Sequence, residues 1–292
     1  MPTDPPTFDL QSHSLHSDGA LTPGEVVAAA AAAGVELFAL SDHDTVDGVP
    51  EAQRVAVELR VKLVPAVEIS AIEQGSRGDL HVLGYLIDVH DPAFAERLEG
   101  YRADRHRRAD AMVEAIRRLG FELDLDLLRA RATKGKPIGR PHVAEAVVSH
   151  PANAERLTAE RCPDPSAFLE AYLIEGRPAF QRRTTPTVAE SIAVIHDAGG
   201  VAVWAHPFWD ASDPDDVIEA IDRFQDAGLD GVECFYTTHD RAQTELLADQ
   251  CDERGLLTTG SADFHGPRHR QFSHFRTFST FGREPNLGPI GA

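Results

Sequence analysis

Cysteine is scarce in this chain. Cys162, Cys234 and Cys251 are scattered with no CxxC or comparable metal spacing. An odd, sparse set of this kind fits a reducing compartment better than a disulfide framework. Positive charge is also in short supply. There are 28 Lys and Arg against 47 Asp and Glu, a net charge of −19. So acidic a chain lacks the basic track that sequence-independent binding to long nucleic acid needs, although a small anion can still be held at a local positive site. Long apolar runs are missing as well. Ala28–Ala33 is too short to cross a bilayer. The opening Met1–Pro6 has neither a basic n-region nor an apolar h-region. No membrane partner is expected, and the expected location is cytoplasmic. There is no G-x-S-x-G elbow for a serine nucleophile, no internal repeat and no coiled-coil heptad.

What is present is 292 residues, 42% of them hydrophobic, enough for one large α/β barrel or two smaller domains. Strand and helix patterns alternate at both ends. Strands are expected at Phe8–Leu10, Val35–Leu40, Leu63–Val67, Leu80–Ile87, Val201–Trp204, Gly231–Phe235 and Leu256–Thr259. Helices are expected from the Thr22-Pro23-Gly24-Glu25 capping-box signal to Gly34, and over Pro50–Leu59, Val188–Ala198, Asp216–Gln225 and Arg241–Arg254. Such alternation argues for a parallel sheet or barrel. Between the two halves lies a long charged helical pattern, Pro92–Leu119, followed by helices and loops to about Thr185 with no clear strand. The expected organisation is therefore a barrel built from residues 1–91 and 186–292, carrying an inserted helical, substrate-binding subdomain at 92–185.

Six segments deliver His, Asp or Glu just after a short hydrophobic run. They contain His13 with Asp18, Asp42-His43-Asp44, Glu68, His81, His206, and Asp263 with His265. A single strand-end histidine is more often a hydrogen-bonded structural residue, but six such segments in succession point to one loaded face. In a parallel barrel that face is the C-terminal end of the strands, where the βα loops converge. Imidazoles mixed with carboxylates suit divalent transition metals. Glu68 is the sharpest case, because a buried carboxylate is costly unless paired or coordinated. Asp42 and Asp44 read as caps or supports for neighbouring groups.

At these residues the chain resembles the PHP (polymerase and histidinol phosphatase) family of metal-dependent phosphoesterases, and most closely its nucleotide group. That group dephosphorylates 3′,5′-nucleoside bisphosphates and trims short oligoribonucleotides. The resemblance rests on Ser17-Asp18-Gly19, Ser41-Asp42-His43-Asp44-Thr45, Val67-Glu68-Ile69-Ser70, His81-Val82-Leu83-Gly84-Tyr85, Ile138-Gly139-Arg140-Pro141-His142, Ala205-His206-Pro207 and Asp263-Phe264-His265-Gly266. It implies a distorted (β/α)7 TIM-like barrel with two or three divalent cations, manganese first, with iron, zinc and magnesium as the alternatives. The first would take His13, Glu68 and Asp263; the second Glu68, His81 and His206; the third Asp18, His43 and His265. One departure stands out. The family opens with a His-x-His pair, and here Gln11 replaces its first histidine, offering only a neutral amide oxygen. His16 is placed to compensate or to meet substrate or solvent.

The expected chemistry is attack by a metal-bridging hydroxide on a phosphate monoester. His206, Asp263 and His239 are the candidate catalytic residues, His239 as an acid for the leaving alkoxide or, alternatively, an ordinary exposed loop histidine. Arg140 and His142 are candidate substrate contacts, with His239 beside them, since a guanidinium can grip phosphate bidentately. The alternative for Arg140 is a solvated residue at a helix N-terminus. Arg182-Arg183 and the Arg102–Arg108 run read as solvated. The leading expectation is removal of the 3′-phosphate from a 3′,5′-nucleoside bisphosphate. Trimming of short oligoribonucleotides from the 5′ end and a non-catalytic metal-binding barrel are the alternatives. The partner is a small nucleotide or short oligoribonucleotide.

Overall fold

The computed structural model describes residues 6–73, 79–132, 138–182 and 184–292. The described residues form two compact units. One holds the residues up to Glu73 together with Asp79–Glu99 and Pro186–Ala292; the other is centred on Gly100–Thr185.

The first unit is a seven-stranded sheet in strict chain order. Strand β1 (Phe8–Asp9) leads through helix α1 (Pro23–Ala32) to β2 (Leu37–Leu40), then α2 (Val49–Leu59) and β3 (Lys62–Ala71). β4 (Leu80–Tyr85) follows, then α3 (Pro92–Arg118), which continues into the second unit. After that unit the chain returns by α8 (Val188–Asp197) to β5 (Val201–Trp204) and the short α9 (Pro207–Asp210). It finishes with α10 (Pro214–Asp226), β6 (Gly231–Tyr236), α11 (Arg241–Arg254) and β7 (Leu257–Ser261). The sheet nearly closes on itself: Leu10 donates to the Gly260 carbonyl, and a parallel bridge joins Ser12 to Phe264. This is the expected TIM-like barrel.

Local signals explain the boundaries. The Thr22 hydroxyl accepts from the Glu25 N–H while the Glu25 carboxylate accepts from the Thr22 N–H, the reciprocal cap read from the sequence. Such a cap is worth about 1 kcal/mol. Thr187 with Glu190 and Asp240 with Gln243 repeat it at α8 and α11. Gly34 ends the first helical stretch with φ 75°, a conformation that costs glycine nothing. The strands are largely buried on both faces; every residue of β6 is buried, as parallel strands covered by helices require.

One strand breaks the expected pattern. β4 runs antiparallel to both β3 and β5, while the other neighbouring pairs are parallel. An antiparallel neighbour needs no crossover helix, and among the described residues none stands between β3 and β4.

The second unit continues α3 and adds α4 (Leu125–Ala132), α5 (Arg140–Val148), α6 (Ala154–Ala159) and α7 (Pro165–Tyr172). They enclose a core that includes Met112, Ile116, Phe121, Val143, Val147 and Phe168. The Arg102–Arg108 run is not uniformly solvated. Arg108 is buried, and its Nε donates to the Gln181 carbonyl at 2.8 Å. Arg182 is half-exposed and paired with Glu175; Arg183 lies outside the described residues. No helix among the described residues is long and apolar enough to cross a membrane.

Candidate metal centre

Loops at one end of the barrel carry the polar residues inward, each loop held by its own hydrogen bonds. At the end of β1, the buried Asp9 accepts from the Ala262 and Arg276 N–H groups and so ties β1 to the segment after β7. Burial pushes its carboxyl up to about 7. Three residues on, the Ser12 hydroxyl donates to the Ala39 carbonyl at 2.8 Å, fixing the backbone that presents His13. The following turn is clamped by Asp42, which accepts from Ser14 N–H, Ser14 Oγ and Ser17 Oγ at 2.6–2.7 Å. Gly19 completes the turn by close approach. A Cβ there would lie 2.1 Å from the His13 carbonyl oxygen, so only glycine lets the loop fold back and bring Asp18 over the site. Asp44 accepts from the Ser70 N–H at 2.9 Å and links the β2 loop to β3. Both acidic residues of that loop therefore act as supports.

Glu68 is fully buried at the centre. One carboxylate oxygen lies 2.7 Å from His81 Nδ1 and 3.3 Å from His206 Nε2; the other lies 3.0 Å from His13 Nε2 and 3.6 Å from His43 Nδ1. His13 Nε2 is also 3.0 Å from Asp263 Oδ1. Asp18, at the open rim, sits 3.5–3.6 Å from His13, His43 and His265. Three overlapping groups result: His13, Asp18, His43 and His265; His43, Glu68 and His81; and His13, Glu68 and Asp263, the donor atoms of each within 4.8 Å of one another. His206 joins through its 3.2 Å approach to His81. All eight residues expected from the sequence to bind metal are thus brought together. The grouping differs in detail: His43 also stands with Glu68 and His81, alongside His206.

The strand sense matters here. His81 faces Ser70 in the register of the antiparallel pair, near the start of β4. An inverted strand begins where its neighbours end, so His81 reaches the same rim from the N-terminal end of its strand.

Supporting groups settle which atoms face inward. The His265 Nδ1–H donates to the Asp263 carbonyl at 2.7 Å, leaving the Nε2 lone pair toward Asp18. The Tyr236 hydroxyl donates to Asp263 Oδ2 at 2.7 Å, leaving Oδ1 to face His13. The His206 N–H donates to Glu233 at 2.9 Å. His206, Asp263 and Asp44 all hold left-handed backbones, with φ 33°, 53° and 53°, a strain of roughly 1–3 kcal/mol each that surrounding structure must hold in place.

The charges are strongly coupled. Burial opposes ionisation of Glu68, but His43 and His81, with His13 and His206 close by, hold its carboxyl well below the usual range. Burial likewise opposes ionisation of Asp263; His265 and His13 outweigh it and bring the carboxyl to about 2. The His13 imidazolium is disfavoured by burial, yet Asp263 and Glu68 raise its pKa well above the ordinary value. His206 is raised to about 9, Glu68 overcoming burial. His43 goes the other way, to about 4, because burial dominates.

His13 Nε2, His43 Nδ1, Glu68 Oε2 and Asp263 Oδ1 are buried without a hydrogen bond of proper geometry, although they stand at ion-pair distances. Lone pairs that converge in this way are costly unless a cation lies between them. Imidazole and carboxylate together are a donor set for divalent transition metals, so the residues fit the metal ions expected of them.

Other expected site residues fare differently. Gln11 does not offer its oxygen to the cluster: the oxygen accepts from Ser261 Oγ at 3.1 Å. Ser261 is in turn 2.6 Å from Glu233, whose carboxyl burial pushes up to about 8. The Ser261 hydroxyl thus stands between the Gln11 amide oxygen and the Glu233 carboxyl. His239 is buried, not an exposed loop histidine; its Nδ1–H donates to the Cys234 carbonyl at 3.1 Å, and burial lowers it to about 4. A neutral imidazole with its one N–H engaged does not suit the acid role expected of it. His142 Nδ1 accepts from the Gly139 N–H at 2.9 Å and caps its own helix, α5, which Arg140 begins half-buried. His16 is exposed. Sequence reading missed Glu233, Tyr236 and Asp9. Glu233 carried the signal that exposed Glu68, a carboxylate inside a wholly apolar strand.

A barrel whose strand ends converge on a buried imidazole–carboxylate cluster defines a metal-dependent hydrolase. The PHP domain profile matches residues 9–197. A 5′-3′ exoribonuclease of Haemophilus influenzae is 33% identical over 89% of this chain and 90% of its own length. A 3′,5′-nucleoside bisphosphate phosphatase of Chromobacterium violaceum is 32% identical over 89% of this chain and 87% of its own length. Among solved structures, an amidohydrolase from Chromobacterium violaceum with bound sulfate superposes with TM-score 0.77 at 28% identity, covering 98% of this chain and 93% of that one. The chain belongs to the PHP family and is an enzyme of its metal-dependent phosphoesterase class. His206, Asp263 and His265 lie beyond the matched segment, so their place in the cluster rests on the structure.

Proposed function

We propose that this phosphoesterase removes the 3′-phosphate of nucleoside 3′,5′-bisphosphates. The observation that supports metal-assisted phosphoester hydrolysis is the Glu68 carboxylate with four imidazole nitrogens within 3.6 Å, two on each side. An anion so placed is suited to bridge two cations. His13, Glu68 and Asp263 would hold one, Glu68, His81 and His206 a second, and Asp18, His43 and His265 a third, with manganese the first choice. Divalent cations there would acidify a bound water, neutralise the phosphate oxygens and align in-line attack. The chain's own contribution is to aim the donors: Tyr236 and the Asp263 carbonyl orient Asp263 and His265, and Asp42 clamps the loop carrying Asp18. Arg140 is proposed to grip the phosphate that is not cleaved. The 32% identical relative named for this substrate supports the choice.

The 33% identical relative named as an exoribonuclease favours a second reading, 5′→3′ trimming of short oligoribonucleotides by the same centre. Phosphate release from a nucleoside 3′,5′-bisphosphate, and nucleotide release from di- to pentanucleotides, both with Mn²⁺, compare the two. Faster turnover of the oligonucleotides would reverse the ranking, and hydrolysis of neither would sink both.

A further inference from the structure

Trp209 is the one aromatic among the exposed large hydrophobic side chains of the described residues, with 55% of its surface open. It lies in α9, three residues after His206, and its ring centre is 6.0 Å from the His206 imidazole. Its single polar atom is already satisfied: Nε1 donates to Thr238 Oγ1 at 2.9 Å. That bond and the packing against Phe272 (5.6 Å) and, edge-on, Tyr236 (6.4 Å) hold the indole in one orientation. Phe272 in turn stacks on His269, and both flank His265. An aromatic wall therefore runs round the rim of the cluster from His206 to His265. A tryptophan left half in water, yet held by a specific hydrogen bond, gains little for the core. It presents a fixed π-face beside the place where the phosphate reacts.

We infer that Trp209 is the stacking platform for the nucleobase of the substrate, with Phe272 supporting the indole. This rests on the nucleotide reading above. It assigns base contact to the barrel unit itself, one sugar ring from the cluster. Every base has a π-face, so the contact confers preference for a nucleotide over a bare sugar phosphate without strong preference among bases.

Binding of AMP and of ribose 5-phosphate to the Mn²⁺-loaded protein, measured by calorimetry, tests it without turnover. Wild type should prefer AMP on the order of ten- to a hundredfold, the size of one base–aromatic stack. Trp209→Ala and Trp209→Leu should abolish most of that preference while ribose 5-phosphate binding persists, and Trp209→Phe should keep most of it. Should Trp209→Ala fold poorly, the leucine and phenylalanine variants carry the comparison. An unchanged preference in Trp209→Leu, or none in wild type, overturns the assignment. Failure of the functional reading shows elsewhere, as absence of phosphate release from the bisphosphate by the wild-type enzyme.

Discussion

Replacing Glu68 by Gln removes one negative charge and almost no volume, and the structure fixes what should follow. In the metal-free protein His206 stays protonated to about pH 9 chiefly because of Glu68. Against an unfolded value near 6.5, that upward shift stabilises the fold by on the order of 2–3 kcal/mol at pH 7. The sign is that of a raised base. The contribution is complete below about pH 6.5 and disappears as the pH rises through 9. Glu68→Gln should therefore lower the melting temperature of the metal-free protein by roughly 5 °C at pH 7 and by much less at pH 10. With metal present the loss should be larger. Removing only a supporting partner of a metal ligand costs 10- to 100-fold in affinity, and Glu68 is the proposed bridge itself, so Mn²⁺ affinity should fall at least that far. Scanning calorimetry with EDTA at the two pH values, then Mn²⁺ titration and phosphate release at saturating metal, reads each part. Unchanged metal affinity with an unchanged saturated rate would show Glu68 to be a structural carboxylate and dissolve the proposed bridge.

Chelation should abolish hydrolysis and Mn²⁺ restore it; full activity in a preparation verified as metal-free would end the metal mechanism. His13 and His206 must lose protons to bind metal, so Mn²⁺ binding at pH 7 should release protons and strengthen as the pH rises toward 9. Calorimetry in two buffers of different ionisation enthalpy would expose an error here as identical apparent enthalpies. Tyr236→Phe frees Asp263 Oδ2 and should weaken metal binding about tenfold or more with little change in fold; equal affinity would make the hydroxyl irrelevant. Arg140→Ala should reduce kcat/KM for a bisphosphate by roughly ten- to a hundredfold, the worth of a charged hydrogen bond, and spare a simple monophosphate. Equal losses on both would move Arg140 to the scissile phosphate or to the fold.

Much of this was legible because the relevant signals are local. The capping box at Thr22 and the apolar runs of the strands set element boundaries to within a few residues. The same runs placed the ligand-type residues at their ends. The sense of β4 was not legible, because alternation of strand and helix reports periodicity, not direction. Only pairing registers such as Ser70 with His81 reveal the inversion. The fate of Gln11 depended on Ser261 and Glu233, residues more than two hundred positions away that no local pattern connects to it. His239 misled for a related reason. Its sequence neighbourhood, Thr237-Thr238-His239-Asp240, reads as an exposed loop, and the burial that lowers its basicity comes from tertiary packing against Tyr236 and Phe208.

The inversion and the substrate question meet at the rim. Relatives of nearly equal identity carry the names of a bisphosphate phosphatase and an exoribonuclease, so overall similarity does not rank the two substrates. Hydrolysis of a phosphate monoester and of a terminal phosphodiester call on the same attack, and a buried cluster built around Glu68 serves either. The substrates differ in what lies away from the scissile phosphorus. A bisphosphate presents one base and a second phosphate, whereas an oligonucleotide adds a further nucleoside beyond the bond that breaks. Selection must then fall to groups outside the cluster that touch a base or the uncleaved phosphate. On the barrel side the fixed, half-exposed ring of Trp209 is the proposed group. On this proposal catalysis and selection would be carried by different residues, and substitution at Trp209 should change which phosphate esters are accepted while leaving the Glu68 cluster able to take up metal.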